Sequence, residues 1–251
     1  MKDKIINWII DYCKEKNFKL IVGISGGIDS ALVSTLCAMT NLETIVISMP
    51  IHQSESELIR AKNHINWLKQ NFTNVIDKEY DLTNLFEHFR RNFNNEFNND
   101  LAFANTRSRL RMITLYQIAT STNGIVVGTG NKVEDFGVGF FTKYGDGGVD
   151  ISPIADLNKT EVRKLARELN IIEEILEANP TDGLWSDNRT DEQQIGASYE
   201  ELEWAMNNIN NKVNFEQHKY TNRQKEILEI YNYFHSKNLH KMISIPICKI
   251  N

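Results

Sequence analysis

Short apolar runs alternate along the chain with longer stretches of helical periodicity. Lys19 to Ile24 (KLIVGI), Thr44 to Ser48 (TIVIS) and Ile125 to Gly128 (IVVG) are brief, rich in β-branched residues and flanked by turn residues, which predicts buried strands. Asn74 to Tyr80 and Val149 to Pro153 carry a fainter form of the same signal. Between them the spacing predicts helices over Ser30 to Met39, Ser54 to Gln70, Leu101 to Ala119 and Lys159 to Glu168. A first helix is expected at the start, where Ile5, Ile9 and Tyr12 fall on an i, i+4, i+7 stripe. Ser198 to Lys241 reads as helical again, with Leu202, Ala205 and Ile209, then Ile227, Ile230, Tyr231 and Phe234, as candidate core faces. Strands separated by helices predict βαβ units: an α/β fold with an open, mainly parallel sheet, helices on both faces and a helical C-terminal part.

Two stretches break the pattern. Asn92 to Asp100 is Asn-rich and poor in apolar residues, and Glu177 to Gly196 holds Pro180, Gly183 and many polar residues. Loops longer than roughly 12–15 residues are usually functional or disordered, so the second is a candidate active-site lid. No repeat or long linker divides the 251 residues, and one domain over 1–251 is expected.

Composition narrows the partners. The chain is 41% hydrophobic and 24% charged with a net charge of −5, so it lacks the clustered Lys and Arg of a nucleic-acid binder. No run approaches the roughly 18 apolar residues of a membrane helix, and the N-terminus lacks a leader's cleavage site. Cys13, Cys37 and Cys248 are isolated, which argues against a zinc site, a redox motif or a disulfide framework. A cytoplasmic protein with free thiols is expected.

The first chemical signal is Ser25-Gly26-Gly27-Ile28-Asp29-Ser30, placed after a predicted strand and before a predicted helix. The glycines allow a tight turn. The amides of the helix N-terminus carry partial positive charge, and the serines add hydroxyls, so the segment suits a phosphate. It is not a Walker A loop, because no Lys is present to reach a γ-phosphate. Asp29 would repel a bare phosphate, but fits if Mg²⁺ sits between them. The alternative is a plain turn with Asp29 as a helix cap. SGGxDS in this setting resembles the pyrophosphatase-type ATP-binding families, in which the loop holds the pyrophosphate that leaves as a substrate is adenylated.

A second half of the site is expected where the strand ending near Gly128 runs into Gly128-Thr129-Gly130-Asn131-Lys132-Val133-Glu134. Ligands of open α/β sheets bind at this carboxyl edge, and Glu134 can converge there with Asp29 on one Mg²⁺. An exposed Gly-rich loop with aromatics, a Lys and an Asp follows: Phe140-Phe141-Thr142-Lys143-Tyr144-Gly145-Asp146-Gly147-Gly148. These stretches are similar to the ammonia-dependent NAD synthetase family, as are Asn105 to Met112 (NTRSRLRM), Asn179 to Asp182 (NPTD) and His240-Lys241. The resemblance runs in order from about Ser25 to Lys241.

The resemblance implies an adenine nucleotide hydrolase-like, Rossmann-like fold, with ATP as co-substrate and Mg²⁺ as cofactor. Gly23, Ile24, Ser25, Gly26, Gly27, Ile28, Asp29 and Ser30 would bind the ATP phosphates, with Thr129, Lys159 and Thr181 as further ATP contacts. Asp29 and Glu134 would hold the metal. Arg109, Lys143, Asp150, His240 and Lys241 would contact nicotinic acid adenine dinucleotide, and a homodimer is implied, although Trp8 could equally be core. Two features depart from the family: one residue more between Glu134 and Lys143 than in bacterial members, and PTDGLW in place of PTADL.

The residues add their own support. Asn158 and Glu161 fit a capping box, which puts Lys159 in a first helical turn as a catalytic candidate. Helical spacing sets Arg109 on one face and Arg107 with Arg111 on another, so Arg109 is the expected ligand contact and the other two are expected in surface or interface pairs. Asp146 is the candidate acceptor of the ammonium proton. The phosphate loop begins at residue 23, leaving no room upstream for a glutaminase, so free ammonia is the expected nucleophile. The rivals are another SGGxDS adenylating enzyme (GMP synthetase-like or tRNA-modifying) and a non-catalytic nucleotide-binding module on the same sheet.

Overall fold

Alternation along four short strands divides the core into two halves. In the computed structural model, which describes residues 1–93, 96–180, 190–210 and 220–250, the strands are β1 (Lys19–Gly23), β2 (Thr44–Ser48), β3 (Val75–Glu79) and β4 (Gly124–Val126). They pair in parallel in the order β3-β2-β1-β4. The helices are α1 (Lys2–Cys13), α2 (Ile28–Met39), α3 (Glu55–Asn71), α4 (Thr83–Arg90), α5 (Asp100–Thr122), α6 (Lys159–Glu168), α7 (Glu173–Leu176), α8 (Asp191–Ile195), α9 (Tyr199–Asn210) and α10 (Asn222–Met242). A π-helix, Val133–Val138, follows β4.

Leu20, Val22 and Val46 face α1, α2, α3 and α6, where Leu32, Leu36, Leu68 and Leu165 complete one core. Ile21, Ile45, Ile47 and Val126 face the other way and meet Phe86, Phe103, Met112 and Leu115 of α4 and α5. Burial on both faces explains why β1, β2 and β4 read as continuous apolar runs, whereas the edge strand β3 buries only Val75. A third core, including Val133, Val138, Tyr199, Leu202, Ile227 and Tyr231, packs α9 and α10 on the π-helix.

Local chemistry sets the ends of the elements. Ser54 caps α3 in a capping box with Glu57, and Asn99 caps α5 through Ala102 N at 3.0 Å. Asn123 closes α5 in the left-handed region, φ 55°, a conformation Asn tolerates.

The structure departs from the sequence pattern in places. Val149 to Pro153 forms only a single bridge, Val127 to Ile151, because the Asp150 carboxylate takes the Val126 amide at 2.8 Å in place of a strand carbonyl. The buried stripe of α1 is Ile6, Ile9 and Cys13; Tyr12 and Trp8 are exposed and pack on each other at 5.9 Å. The helical period holds, but the stripe is turned by one residue. Residues 94–95 of the Asn-rich stretch and 181–189 of the expected lid lie outside the described residues, and α8 occupies the end of that lid stretch.

β1 and β4 are neighbours although about a hundred residues separate them in sequence. The sheet therefore reverses its order between them, and a crevice opens beyond their carboxyl ends. Both chemically marked loops leave from that point.

His64 of α3 is fully buried under α2. Its Nε2 lies 2.9 Å from Ser34 Oγ, and its Nδ1 has no hydrogen-bond partner among the described residues. Burial lowers its pKa to about 4 from 6.5. The unfolded chain therefore binds this proton first, so the contribution is full above pH 6.5 and is lost as pH falls toward 4, by about 3 kcal/mol in all. Denaturant titrations should show this slope in the wild type and a shallower one in His64→Gln. Equal slopes would contradict it.

Candidate active site

The phosphate loop is held in shape by its two serines. Ser25 N and Ser25 Oγ approach Ser30 Oγ at 3.3 and 3.0 Å, Gly27 N donates to Ser25 Oγ at 3.2 Å, and Ser30 Oγ donates to Gly27 O at 3.0 Å. Gly26 stands at φ 85°, and a Cβ there would meet Glu57 O at 2.6 Å, so both conformation and space require glycine. The ladder of α2 starts with Ala31 N to Gly27 O, which leaves the amides of Ile28 to Ser30 outside it and available to an anion.

Beside the loop lies a buried cation between two acids. Lys159, 2% exposed, is carried by the first turn of α6, which opens with the predicted Asn158–Glu161 capping box. Its Nζ is 2.5 Å from Asp29 Oδ2 and 3.0 Å from Glu134 Oε1. Tyr199 OH donates to Glu134 Oε1 at 2.5 Å and stands 3.1 Å from Asp191 Oδ2. Asn131 Nδ2 donates to Asp29 Oδ1 at 3.2 Å, and Asn131 Oδ1 accepts from Glu134 N at 3.2 Å.

These contacts set the protonation states. Burial would lower the Lys159 pKa, but Asp29 and Glu134 override it and raise it. Burial also pushes Glu134 up, yet Lys159 and the Tyr199 hydroxyl hold it below the usual range. Asp29 is raised, by burial first, against the pull of Lys159. Asp135 is raised well above its usual range by burial and then by the charge of Glu134, Asp146 and Asp29. The floor of the site therefore carries more acid than base.

The Gly-rich loop forms the opposite wall. Asp146 Oδ1 accepts from Ser108 Oγ at 2.7 Å and from Thr142 N at 3.0 Å. Desolvation within the cavity, and then the Glu134 charge, push its carboxyl up against those bonds, and the residue lines the cavity. Thr142 Oγ1 donates to Asn105 Oδ1 at 2.7 Å. Arg109 Nε donates to Lys143 O at 3.2 Å, Lys143 Nζ to His240 O at 2.9 Å, and Lys241 Nζ to Phe141 O at 2.7 Å. The expected substrate contacts thus tie α5, this loop and the end of α10 together.

One cavity of about 650 Å³ joins the two walls. Gly23 to Ser30, Thr129, Glu134 and Lys159 line it, as do Arg109, Lys143, Asp146, His240 and Lys241. Asp150 is not brought to it: Tyr116 OH and Val126 N occupy its carboxylate at 3.1 and 2.8 Å. Thr181 lies outside the described residues. Arg111, expected in a surface or interface pair, instead lines the cavity and donates to Met49 O at 3.0 Å and to Gln53 Oε1 at 2.7 Å. Burial, then the charge of Arg107, lowers its pKa to about 10. Arg107 lies over the Phe86 ring at 5.6 Å.

The donor set suits Mg²⁺. Asp29 and Glu134 supply hard oxygens on one side of the phosphate loop, and Mg²⁺ sites commonly use one or two carboxylates completed by substrate phosphates and water. A further positive charge would also offset the surplus of acids.

The NAD synthase family matches residues 1–244. The chain belongs to this family. The NH(3)-dependent NAD(+) synthetase of Carboxydothermus hydrogenoformans is 39% identical over 206 residues, 80% of this chain and 82% of that one. Its counterpart from Alkaliphilus metalliredigens is 33% identical over 99% of this chain and 97% of its own. Among solved structures, an NMN synthetase from Francisella tularensis superposes with a TM-score of 0.83 at 29% identity, covering 99% and 97% of the two chains. The NH3-dependent NAD synthetase of Campylobacter jejuni gives 0.78 at 25% identity, with the same coverage.

In this NAD synthase chain the stretch from Glu134 toward Lys143 begins in the π-helix, Val133–Val138. Tyr199 and Asp191 join the site without a motif to mark them in the sequence. Ser108 lay within the NTRSRLRM stretch, but its role becomes visible only through its bond to Asp146.

Removing the central cation should expose the acids to one another. Lys159→Met is expected to lose about 3–5 kcal/mol at pH 8. Part of the loss should return as pH falls toward 5, because protonation then relieves the repulsion. A stability deficit that does not change with pH would contradict this assignment.

Proposed function

We propose that the chain joins ammonia to the nicotinate carboxylate of nicotinic acid adenine dinucleotide, using ATP and giving NAD, AMP and pyrophosphate. The observation that carries this reading is one cavity holding both an SGGxDS phosphate loop and the Asp146 loop. Sequence relatives named NH(3)-dependent NAD(+) synthetase support it over most of the chain.

A carboxylate resists amination because resonance and charge repel a nucleophile. Here a carboxylate oxygen attacks the α-phosphorus of ATP, the α–β anhydride bond breaks and pyrophosphate leaves. The loop amides receive the charge that develops on it. Bound at Asp29 and Glu134, Mg²⁺ would supply further electrostatic stabilisation of the phosphates. Lys159 holds both carboxylates in place and neutralises part of their charge. Asp146 takes a proton from ammonium, ammonia attacks the acyl carbon, and AMP leaves with the former carboxylate oxygen. Arg109, Lys143, His240 and Lys241 are assigned to the dinucleotide, and Thr129 and Thr181 to ATP.

A homodimer, a single domain over 1–251 and a cytoplasmic location belong to the same proposal. They rest on the family resemblance and on free Cys13, Cys37 and Cys248. No described helix is long and apolar enough to cross a membrane.

The superposition on an NMN synthetase favours one second reading, in which the acceptor is the nicotinate mononucleotide. Purified protein with ATP, Mg²⁺ and ammonium should form stoichiometric NAD and AMP from the dinucleotide acid, faster than NMN from the mononucleotide acid, and glutamine should not replace ammonium. A reversed preference would move the assignment to the mononucleotide, and no AMP with either acceptor would sink it. Asp146→Asn should slow amide formation roughly 10²–10⁴-fold while AMP formation on the acceptor persists. Unchanged turnover would remove Asp146 from this role.

A further inference from the structure

The loop that cradles phosphate brings no lysine of its own, and the buried Lys159 beside it is held by Asp29 and Glu134 at 2.5 and 3.0 Å. A triphosphate carrying several negative charges would therefore meet a floor rich in acids. Arg60 stands at this place from a different direction. It belongs to α3, lines the cavity, and donates through Nε to Gly26 O at 3.3 Å. The helix lies so close to the loop that a Cβ on Gly26 would come within 3.4 Å of Arg60 Cβ and 2.6 Å of Glu57 O. The stem of the side chain is thus fixed relative to the loop.

Its other donors are available. Among the described residues no carboxylate pairs with Arg60, and its bond to Gly26 O is the hydrogen bond its side chain makes. Glu57, one turn earlier on α3, directs Oε2 to Ser54 and Gln53. Of the other cavity arginines, Arg111 is held through both Nε and Nη2 by Met49 O and Gln53 Oε1, while Arg109 is tied by Nε to Lys143 O on the opposite, Gly-rich wall. A guanidinium anchored through Nε keeps its two terminal amino groups for a bidentate contact with phosphate oxygens.

We infer that Arg60 is a further substrate-contacting residue of the adenylation reaction, binding the pyrophosphate end of ATP and the departing pyrophosphate above the Ser25–Ser30 loop. The inference rests on the adenylation reading given above. Charge on the leaving group grows as the α–β bond breaks, so a fixed cation there acts more strongly on the transition state than on bound ATP. A clamp that merely held the Gly26 carbonyl would affect every ligand of the loop alike. A pyrophosphate contact spares AMP.

That contrast gives the test, read by binding and without turnover. Magnesium pyrophosphate and AMP would be titrated separately into wild type, Arg60→Gln and Arg60→Lys by calorimetry, with thermal unfolding of each protein in parallel. Arg60→Gln should weaken pyrophosphate about tenfold or more and AMP by less than about twofold, with Arg60→Lys in between. The ATP KM should rise and kcat fall in the same order. Pyrophosphate binding within twofold of wild type in Arg60→Gln, or equal weakening of pyrophosphate and AMP, would overturn the inference. If Arg60→Gln does not fold, the same two comparisons on Arg60→Lys decide. A wild type that binds pyrophosphate through Arg60 yet forms no AMP would instead overturn the adenylation reading alone.

Discussion

The ammonium of Lys159 between Asp29 and Glu134 is the contact on which the arrangement of the site depends. It joins three elements that are distant in sequence: the loop after β1, the π-helix after β4 and the first turn of α6. Tyr199 extends the join to α9 and α8 through Glu134 and Asp191. Drawing three charged groups out of water costs energy that their attraction only partly returns, so such a cluster is weak ground for stability. Its effect lies in position. Without the cation the two acids would repel each other, and the crevice between β1 and β4 would have no fixed floor.

The same cluster explains why the cavity needs so many anion-binding devices. Lys159 carries one positive charge against two acids, and Asp135 and Asp146 stand nearby with raised carboxyls. This floor favours cations, which suits ammonium and a divalent metal ion. A nucleotide polyanion must be held from the other side, by the free amides at the start of α2 and by a guanidinium leaning over the loop. Acceptor and nucleophile can thus approach the same point although one is anionic and the other arrives as a cation.

Much of this was legible in the sequence, for physical reasons. Fully buried parallel strands announce themselves as β-branched runs, and β1, β2 and β4 were found near their observed bounds. The SGGxDS loop and the Asn158–Glu161 cap are local, so spacing alone located them, and the family expectation is borne out. Contacts across the fold left no such trace. Tyr199 became a partner of Glu134 only because the third core packs α9 on the π-helix, and Arg60 looks like any helical surface arginine until α3 is seen against Gly26. Asp150 also acts across the fold, accepting from Val126 N at the end of β4 and from Tyr116 OH of α5.

Adenylation of the acceptor carboxylate before ammonia attacks leaves an isotopic trace. Dinucleotide acid labelled with oxygen-18 in its nicotinate carboxylate would be turned over with ATP and ammonium, and the AMP and pyrophosphate examined by mass spectrometry. One labelled oxygen should appear in the phosphate of AMP for each amide formed, and none in pyrophosphate. Label in pyrophosphate, or unlabelled AMP alongside amide product, would contradict adenylation at the carboxylate.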